Sequence, residues 1–440
     1  MDKITRHPLY QTADIIKRAF LVNGFHLYDN GNSPEVVSAD KTVELYALPE
    51  EAVLRPVMLE EGRYVLRTSL LPTEISRMKG RFPVKELICG RVYHAEDKEL
   101  SGHMYLEGVF ADRDIAAKNW EVLLDRAAKE IYGISAKSIL EPVKKDMFRI
   151  VIRKDDGSEV TLGYTGYGNW LARALLGVED EEIKVWLLTI DVDSVAMDLH
   201  HIESREVLYE NLMATLKMCE TEVPVCGDTL ADQVSNILRE KGYTEYIGSR
   251  IYQADAYIKM NMFQGEWDTN NKGMMLVEPL GKDGGDIWLP TVLTPGLEEV
   301  IAENYKAGEE TVKIFDIGHV YLPGRDGKEP TEKIALSIGA YGPGIDAKSF
   351  KADMDELLSR LGISNHFFIP TDIPIPYDKK HCWLVMDETM SYLEGNFGGI
   401  GEKARENYGI GVLAYMANFE IEPLEKKAAS EYYFVPPELE

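Results

Sequence analysis

Four short stretches hold the residues best suited to chemistry. In "GRVYHAED", from Gly90, strand alternation puts His94 and Glu96 on one face and Arg91 on the other. A histidinium held by Glu96 can contact an anion, although imidazole is mostly neutral near pH 7 and lacks the guanidinium fork. A structural His satisfied by Glu96 explains the pair equally well. In "TIDVDSVAM", from Thr189, Asp191 and Asp193 share a face if the strand continues. Two such carboxylates repel an anionic ligand unless Mg²⁺ intervenes. A metal site using them with His200 or His201 is one reading; helix surface is the other for "HHIES". In "HMYLEG", Tyr105 and Glu107 share a face. Gly163, Gly166 and Gly168 in "LGYTGYG" fit close backbone approach to a ligand, or tight packing of strand on helix.

These residues need elements to place them. "GRVYHAE" and "HMYLEGVFAD" read as two strands around a polar loop. "LGYTGYGNWLARALLGV" is glycine-rich and then helical, and "KVWLLTIDVDSVAMDLHHI" is a strand followed by a helix. Upstream, Leu9, Ala13, Ile16 and Phe20 recur at helical spacing, with a stop at Asn23-Gly24. "SPEVVSADKTVELYALPEEAVLRP" reads as short strands and turns. "GRYVLRTSLLPTEISRMKG" reads as a strand to about Thr68 and a helix from Leu71-Pro72, where proline suits a first turn.

The pattern then restarts. "TLADQVSNILREKGYTEYIG" is again a helix, and "DIWLPTVLTPGLEEVIAENY" repeats the strand, Leu-x-Pro, helix grammar of "YVLRTSLLPTEISRM". "VKIFDIGHVYLPG" repeats "VKELICGRVYHAE", each with a Gly before a Val-Tyr. Two copies of one α+β module are predicted, about 1–221 and 222–440, joined near "ETEVPVCGD".

Composition narrows the class. The chain has 440 residues, 45% of them hydrophobic, enough for more than one core. Its four cysteines show no CxxC spacing, so free thiols in a reducing cytoplasm are expected. There is no apolar signal segment, and no run approaches the ~18 apolar residues of a membrane span. A formal charge of −26 argues against avid nucleic-acid binding.

Taken in order, the motifs resemble phenylalanyl-tRNA synthetase. "HPLYQTADIIKRAFLVNGF", "SPEVVSADKTVELYALPEE", "YVLRTSLLPTEISRM", "GRVYHAED…MYLEG" and "LGYTGYGNWLARALLGVEDEE" resemble the catalytic core of its alpha subunit. "LVEPLGKDGGDIWLPTVLTPGLEEV", "VKIFDIGHVYLP", "FKADMDELLSRLGI" and "GGIGEKARENYGIGVLAYMANFEIEPL" resemble the catalytic-like module of its beta subunit. The resemblance implies two class II aminoacyl-tRNA synthetase-like modules, each an antiparallel sheet flanked by helices. They would pack as a pseudo-dimer, with "YQTADIIKRAF" and "LADQVSNIL" meeting at the interface. The family's tRNA-gripping coiled coil, editing domain and anticodon-binding domain find no counterpart.

The resemblance also assigns roles. His94 stands where the family's second motif has an ATP-clamping arginine, and Glu96 keeps the following glutamate. In the third motif Asp191 replaces a glycine, Asp193 a glutamate and Ser194 the second arginine. Glu107 matches the glutamate that holds the substrate ammonium; Tyr105 replaces a glutamine, and Ser69 and Leu71 stand where a His-Thr-Ser lines the pocket. No phenyl-cupping Phe-Pro-Phe segment is visible, and Trp288 and Pro290 stand where the non-catalytic beta module often carries arginine. Two readings follow. One is a cytoplasmic binding or regulatory paralog with an amino-acid-like ligand, tRNA contact and a membrane role being disfavoured and a homodimer left open. The other is an ATP-dependent, Mg²⁺-assisted ligase of altered substrate, with residual phenylalanine–tRNA ligation a lesser variant.

Overall fold

The first helix shows how local pattern becomes structure. It runs Pro8–Leu21 with Pro8 at the first helical position, and His7 Nδ1 accepts the Leu9 amide at 3.2 Å. Leu9, Ala13, Ile16 and Phe20 form its buried stripe. That stripe packs on the helices Ala117–Tyr132 and Val192–Leu199. The computed structural model describes residues 6–29, 33–59, 62–96, 99–113, 117–218, 229–253, 255–262, 276–277, 287–322, 330–371 and 376–432.

The first half contributes β1 (His26–Asp29), β2 (Val36–Ser38), β3 (Val57–Leu59), β4 (Tyr64–Leu66), β5 (Val84–Glu96), β6 (Glu99–Asp112), β7 (Lys137–Lys144), β8 (Met147–Arg153), β9 (Glu159–Tyr167) and β10 (Lys184–Asp191). The second contributes β11 (Thr244–Glu245), β12 (Tyr252–Gln253), β13 (Leu276–Val277), β14 (Ile287–Trp288), β15 (Val312–Leu322), β16 (Thr331–Tyr341), β17 (His366–Pro370), β18 (Tyr377–Asp387), β19 (Tyr392–Ile400) and β20 (Ala414–Glu420). One sheet is ordered β1-β5-β6-β10-β9-β8-β7 and another β11-β15-β16-β20-β19-β18-β17. The two orders match strand for strand.

The sheets are mixed, which corrects the expectation of antiparallel ones. β1 pairs parallel with β5, and β11 parallel with β15, while the other pairs are antiparallel. A long crossover between the partners permits this. Between β1 and β5 the chain builds β2, β3 and β4. These belong to a third sheet, ordered β12-β14-β13-β3-β4-β2, in which Val277 of β13 pairs with Leu59 of β3. This sheet therefore joins the two halves.

The repeated Gly-x-Val-Tyr now has a physical reason. Tyr93 of β5 and Tyr321 of β15 both donate their hydroxyls to the buried Glu35 carboxylate. Gly90 leaves room for the Arg67 guanidinium, since a Cβ there would lie 2.7 Å from Arg67 Nη2; Gly318 leaves room for Arg250 in the same way. Arg67 Nε donates to the Arg91 carbonyl at 2.7 Å, and Arg250 is paired with Asp316 at 2.6 Å. From the second half, the Glu332 carboxylate accepts the amides of Glu35 at 2.9 Å and Val36 at 2.6 Å. Arg6 Nε reaches Glu245 at 2.6 Å. The first helix and the helix Leu230–Glu240 do not pack flush. Tyr10 and Lys17 of one and Ala231, Asp232 and Ser235 of the other line a shared cavity of about 180 Å³.

Candidate functional site

A second cavity, of about 400 Å³, lies over the first sheet. β5 and β6 bring His94, His103 and Tyr105 to it, β9 brings Gly163, and β10 brings Thr189 and Asp191. Leu48, Leu54, Val160 and Leu162 give it an apolar wall, and Ser194 and Arg205 close another side. Arg91 does not reach it, as strand parity requires. Arg91 lines the cavity between the halves and donates from Nη1 to the Gly248 carbonyl at 3.0 Å.

β10 ends at Asp191, and a helix begins at Val192. The shared strand face expected for Asp191 and Asp193 is thereby corrected, because alternation stops where the helix starts. Asp191 becomes the N-cap: it accepts the Ser194 amide at 3.2 Å and the Ser194 hydroxyl at 2.7 Å. Its other partner is Arg205 Nη2 at 2.7 Å. Asp193 is wholly buried and accepts the Met104 amide at 2.9 Å and the Tyr209 hydroxyl at 3.0 Å, with His103 Nδ1 3.1 Å away. Among the described residues, no group of three His, Cys, Asp or Glu side chains is placed to hold a metal ion, which speaks against the set with His200 or His201.

His94 is buried at the cavity edge with its ring stacked on His103, centroids 4.5 Å apart, and Ser101 Oγ lies 3.3 Å from its Nδ1. Glu96 closes β5, but its side chain lies outside the described residues. Glu107 is not among the residues lining the cavity. Its buried carboxylate accepts the amides of Leu70 at 2.7 Å and Leu71 at 2.9 Å, the Ser69 hydroxyl at 2.8 Å and the Thr189 hydroxyl at 3.2 Å. Burial pushes the Glu107 carboxyl up, against the pull of these hydrogen bonds. Four donors from β10 and the turn before the helix Leu71–Glu74 thus occupy the group expected to hold a substrate ammonium. Ser69 serves that same network and does not line the cavity.

The glycines answer to packing. A Cβ on Gly163 would be driven into the Thr189 carbonyl of the neighbouring strand, and one on Gly166 would lie 2.7 Å from the Asp146 carbonyl in the turn between β7 and β8. One on Gly168, in the link from β9 to the helix Trp170–Leu176, would lie 3.0 Å from Ala172 Cβ of that helix and 3.2 Å from Val185 Cγ1 of β10, so it answers to close packing. Of these only Gly163 borders the cavity.

Arg205 and His103 were not singled out by the sequence. His103 has a signal, since it shares the alternate face of Tyr105 and Glu107. Arg205 has none, because it arrives from the helix Arg205–Leu208, beyond the helix that Asp191 caps. Burial opposes its charge, but Asp191 and Asp193 outweigh that and hold the guanidinium firmly protonated. Burial keeps the Tyr105 hydroxyl protonated, aided by Asp191.

The donor set fits ATP and Mg²⁺ poorly. The one guanidinium lining this cavity, among the described residues, is already paired with Asp191, and Asp193 already has its buried partners. A triphosphate would find little free positive charge, and Mg²⁺ no free carboxylate pair.

Comparison with known proteins adds the following. Residues 1–146 match the model of the class II tRNA synthetase core domain (F), and residues 227–421 match that of the phenylalanyl tRNA synthetase beta chain CLM domain. The phenylalanine–tRNA ligase beta subunit of Clostridium acetobutylicum is 23% identical over 337 residues, covering 71% of this chain and 40% of that protein. The alpha subunit of Moorella thermoacetica is 25% identical over 238 residues, covering 48% of this chain and 68% of that protein. The alpha subunit of Bacillus licheniformis is 28% identical over 148 residues, covering 31% and 42%. The chain spans about two fifths of the length of the beta subunits it matches. No helix among the described residues is long and apolar enough to cross a membrane.

Proposed function

Because the chain is phenylalanyl-tRNA synthetase-like, with an alpha-type class II core and a beta-type domain distantly homologous to the two subunits, we propose that its alpha-type cavity binds an amino-acid-like small molecule without activating it. The two halves, about 1–221 and 222–440, act as a pseudo-dimer in which the second is scaffold. The observation that carries the reading is the Asp191–Arg205 pair, 2.7 Å apart on one cavity wall. A single zwitterion can take over this contact, its ammonium against Asp191 and its carboxylate against Arg205, with charge conserved, whereas the several charges of a triphosphate would not be balanced. The apolar wall of Leu48, Leu54 and Val160 takes the side chain. The poor fit to triphosphate supports binding over ligation. The net charge of −26 supports an account without tRNA.

Calorimetric titration with each of the twenty amino acids, with and without ATP and Mg²⁺, tests this. Binding of at least one amino acid without nucleotide is the expected result. Arg205→Ala should weaken it about 10- to 100-fold, the loss of one or two charge-assisted hydrogen bonds. Asp191→Asn should weaken it similarly while the helix cap survives, because asparagine caps as well as aspartate. Tight, Mg²⁺-dependent ATP binding would overturn the proposal in favour of the ligase.

A further inference from the structure

On the same wall, His103 does more than line a cavity. Its Nδ1 is 3.1 Å from Asp193 Oδ2, and its Nε2 is 3.2 Å from Ser101 Oγ. Asp193 is fully buried and held by the Met104 amide and the Tyr209 hydroxyl; His103 is 4% exposed, and Ser101 is partly exposed. A hydroxyl within reach of an imidazole, itself oriented by a buried carboxylate, is the arrangement that activates a serine nucleophile. Strand geometry builds it: Ser101 and His103 are two apart on β6, so their side chains leave the same face. Asp193, from the first turn of the helix after β10, closes the relay from behind. His94 is stacked on His103, and its two ring nitrogens lie 3.3 and 3.4 Å from the same hydroxyl.

We propose that Ser101, His103 and Asp193 form a nucleophilic triad that cleaves carboxylic esters of small acyl groups. Ser101 Oγ attacks the carbonyl carbon, forming the new C–O bond, and His103 Nε2 takes the hydroxyl proton. The bond to the leaving alcohol breaks, and its oxygen receives that proton from His103. Water then attacks the acyl-serine with His103 again as base, releasing the acid and restoring Ser101. Asp193 does not transfer a proton; it holds His103 with Nδ1 protonated. Tyr105, its ring centroid 6.4 Å from that of His103 on the cavity both line, offers its hydroxyl to the developing oxyanion. This activity requires neither ATP nor the zwitterion reading above.

The test is labelling of the intact chain by a fluorophosphonate, which bonds phosphorus to an activated serine as fluoride leaves with the proton. Mass spectrometry locates the adduct. The expected result is stoichiometric modification of Ser101, abolished in Ser101→Ala and slowed at least ~100-fold in His103→Ala. Hydrolysis of p-nitrophenyl acetate should fall in parallel. The wild-type experiment decides alone, whatever the variants do to folding. No adduct on Ser101, under conditions that label a reference serine esterase completely, overturns the proposal. So does an adduct that forms equally fast in a folded His103→Ala.

Discussion

Glu35→Ala should lower the stability of the chain by about 3–5 kcal/mol, the scale for removing one partner from a buried charged network. Glu35 is 3% exposed. Its carboxylate accepts Tyr93 from one half and Tyr321 from the other, with the buried Arg67 guanidinium 3.6 Å away. Truncation strands the two hydroxyls and leaves the Arg67 charge with backbone carbonyls but without its carboxylate. Tyr321→Phe removes one donor and leaves the charge pair, so it should cost less, about 1.5–3 kcal/mol. Urea unfolding of the three proteins measures both; a loss below about 1 kcal/mol for Glu35→Ala would show that the halves cohere by other means. The same network sets a pH window. Burial works to raise the Glu35 carboxyl, but the charges of His319 and Arg67 and the two tyrosine hydroxyls bring it down to about 2. Its stabilisation is complete above the unfolded value of about 4.3 and disappears as pH falls through about 2. His319 is the reverse. Burial works to lower it, but Glu35 and the hydrogen bond to Glu332 raise it. Its contribution is complete below about pH 6.5 and is lost as pH rises through the raised value. From this pair, stability should be greatest between about pH 4.3 and 6.5.

Glu107→Ala should cost about 4 kcal/mol. It leaves the buried amides of Leu70 and Leu71 without an acceptor, at about 1–3 kcal/mol each, and strands the hydroxyls of Ser69 and Thr189. Tyr46, which donates to Thr189 at 2.5 Å, lies one step further along the same chain. Glu107→Gln should cost roughly half, because its amide keeps one acceptor oxygen. The substitution also separates two roles. If Glu107 supports the turn, the remaining folded Glu107→Gln protein should bind ligand with unchanged affinity. If it grips the ligand ammonium, calorimetry should show the affinity fall at least about tenfold with little change in urea midpoint.

The periodic parts of the fold were open to sequence reading. The first helix, the β5–β6 hairpin, the strand and helix around Asp191, and the duplication marked by Gly-x-Val-Tyr all rest on repeats that alternation and helical spacing expose. What was hidden depends on position in space. Asp191 ends the strand and directly precedes the helix it caps, and that junction decides whether Asp193 faces the cavity or the core. Arg205 reaches Asp191 across 14 positions of sequence, through a turn whose course the local pattern does not fix. Glu107 sits on the face that parity assigned. Its partners come from residues 69–71 and 189, so its surroundings were invisible to a reading of β6 alone.

The sheet shared between the halves bears on how the chain is made. As it leaves the ribosome, β3 emerges more than two hundred positions before its partner β13, and Glu35 well before Tyr321 and Glu332. Until then the nascent first half carries an unpaired strand edge and an uncapped stretch of backbone at residues 35–36. Such edges template pairing with other chains. The order of synthesis therefore places this chain's period of greatest exposure to aggregation during translation, and the second half ends that exposure from within the same molecule.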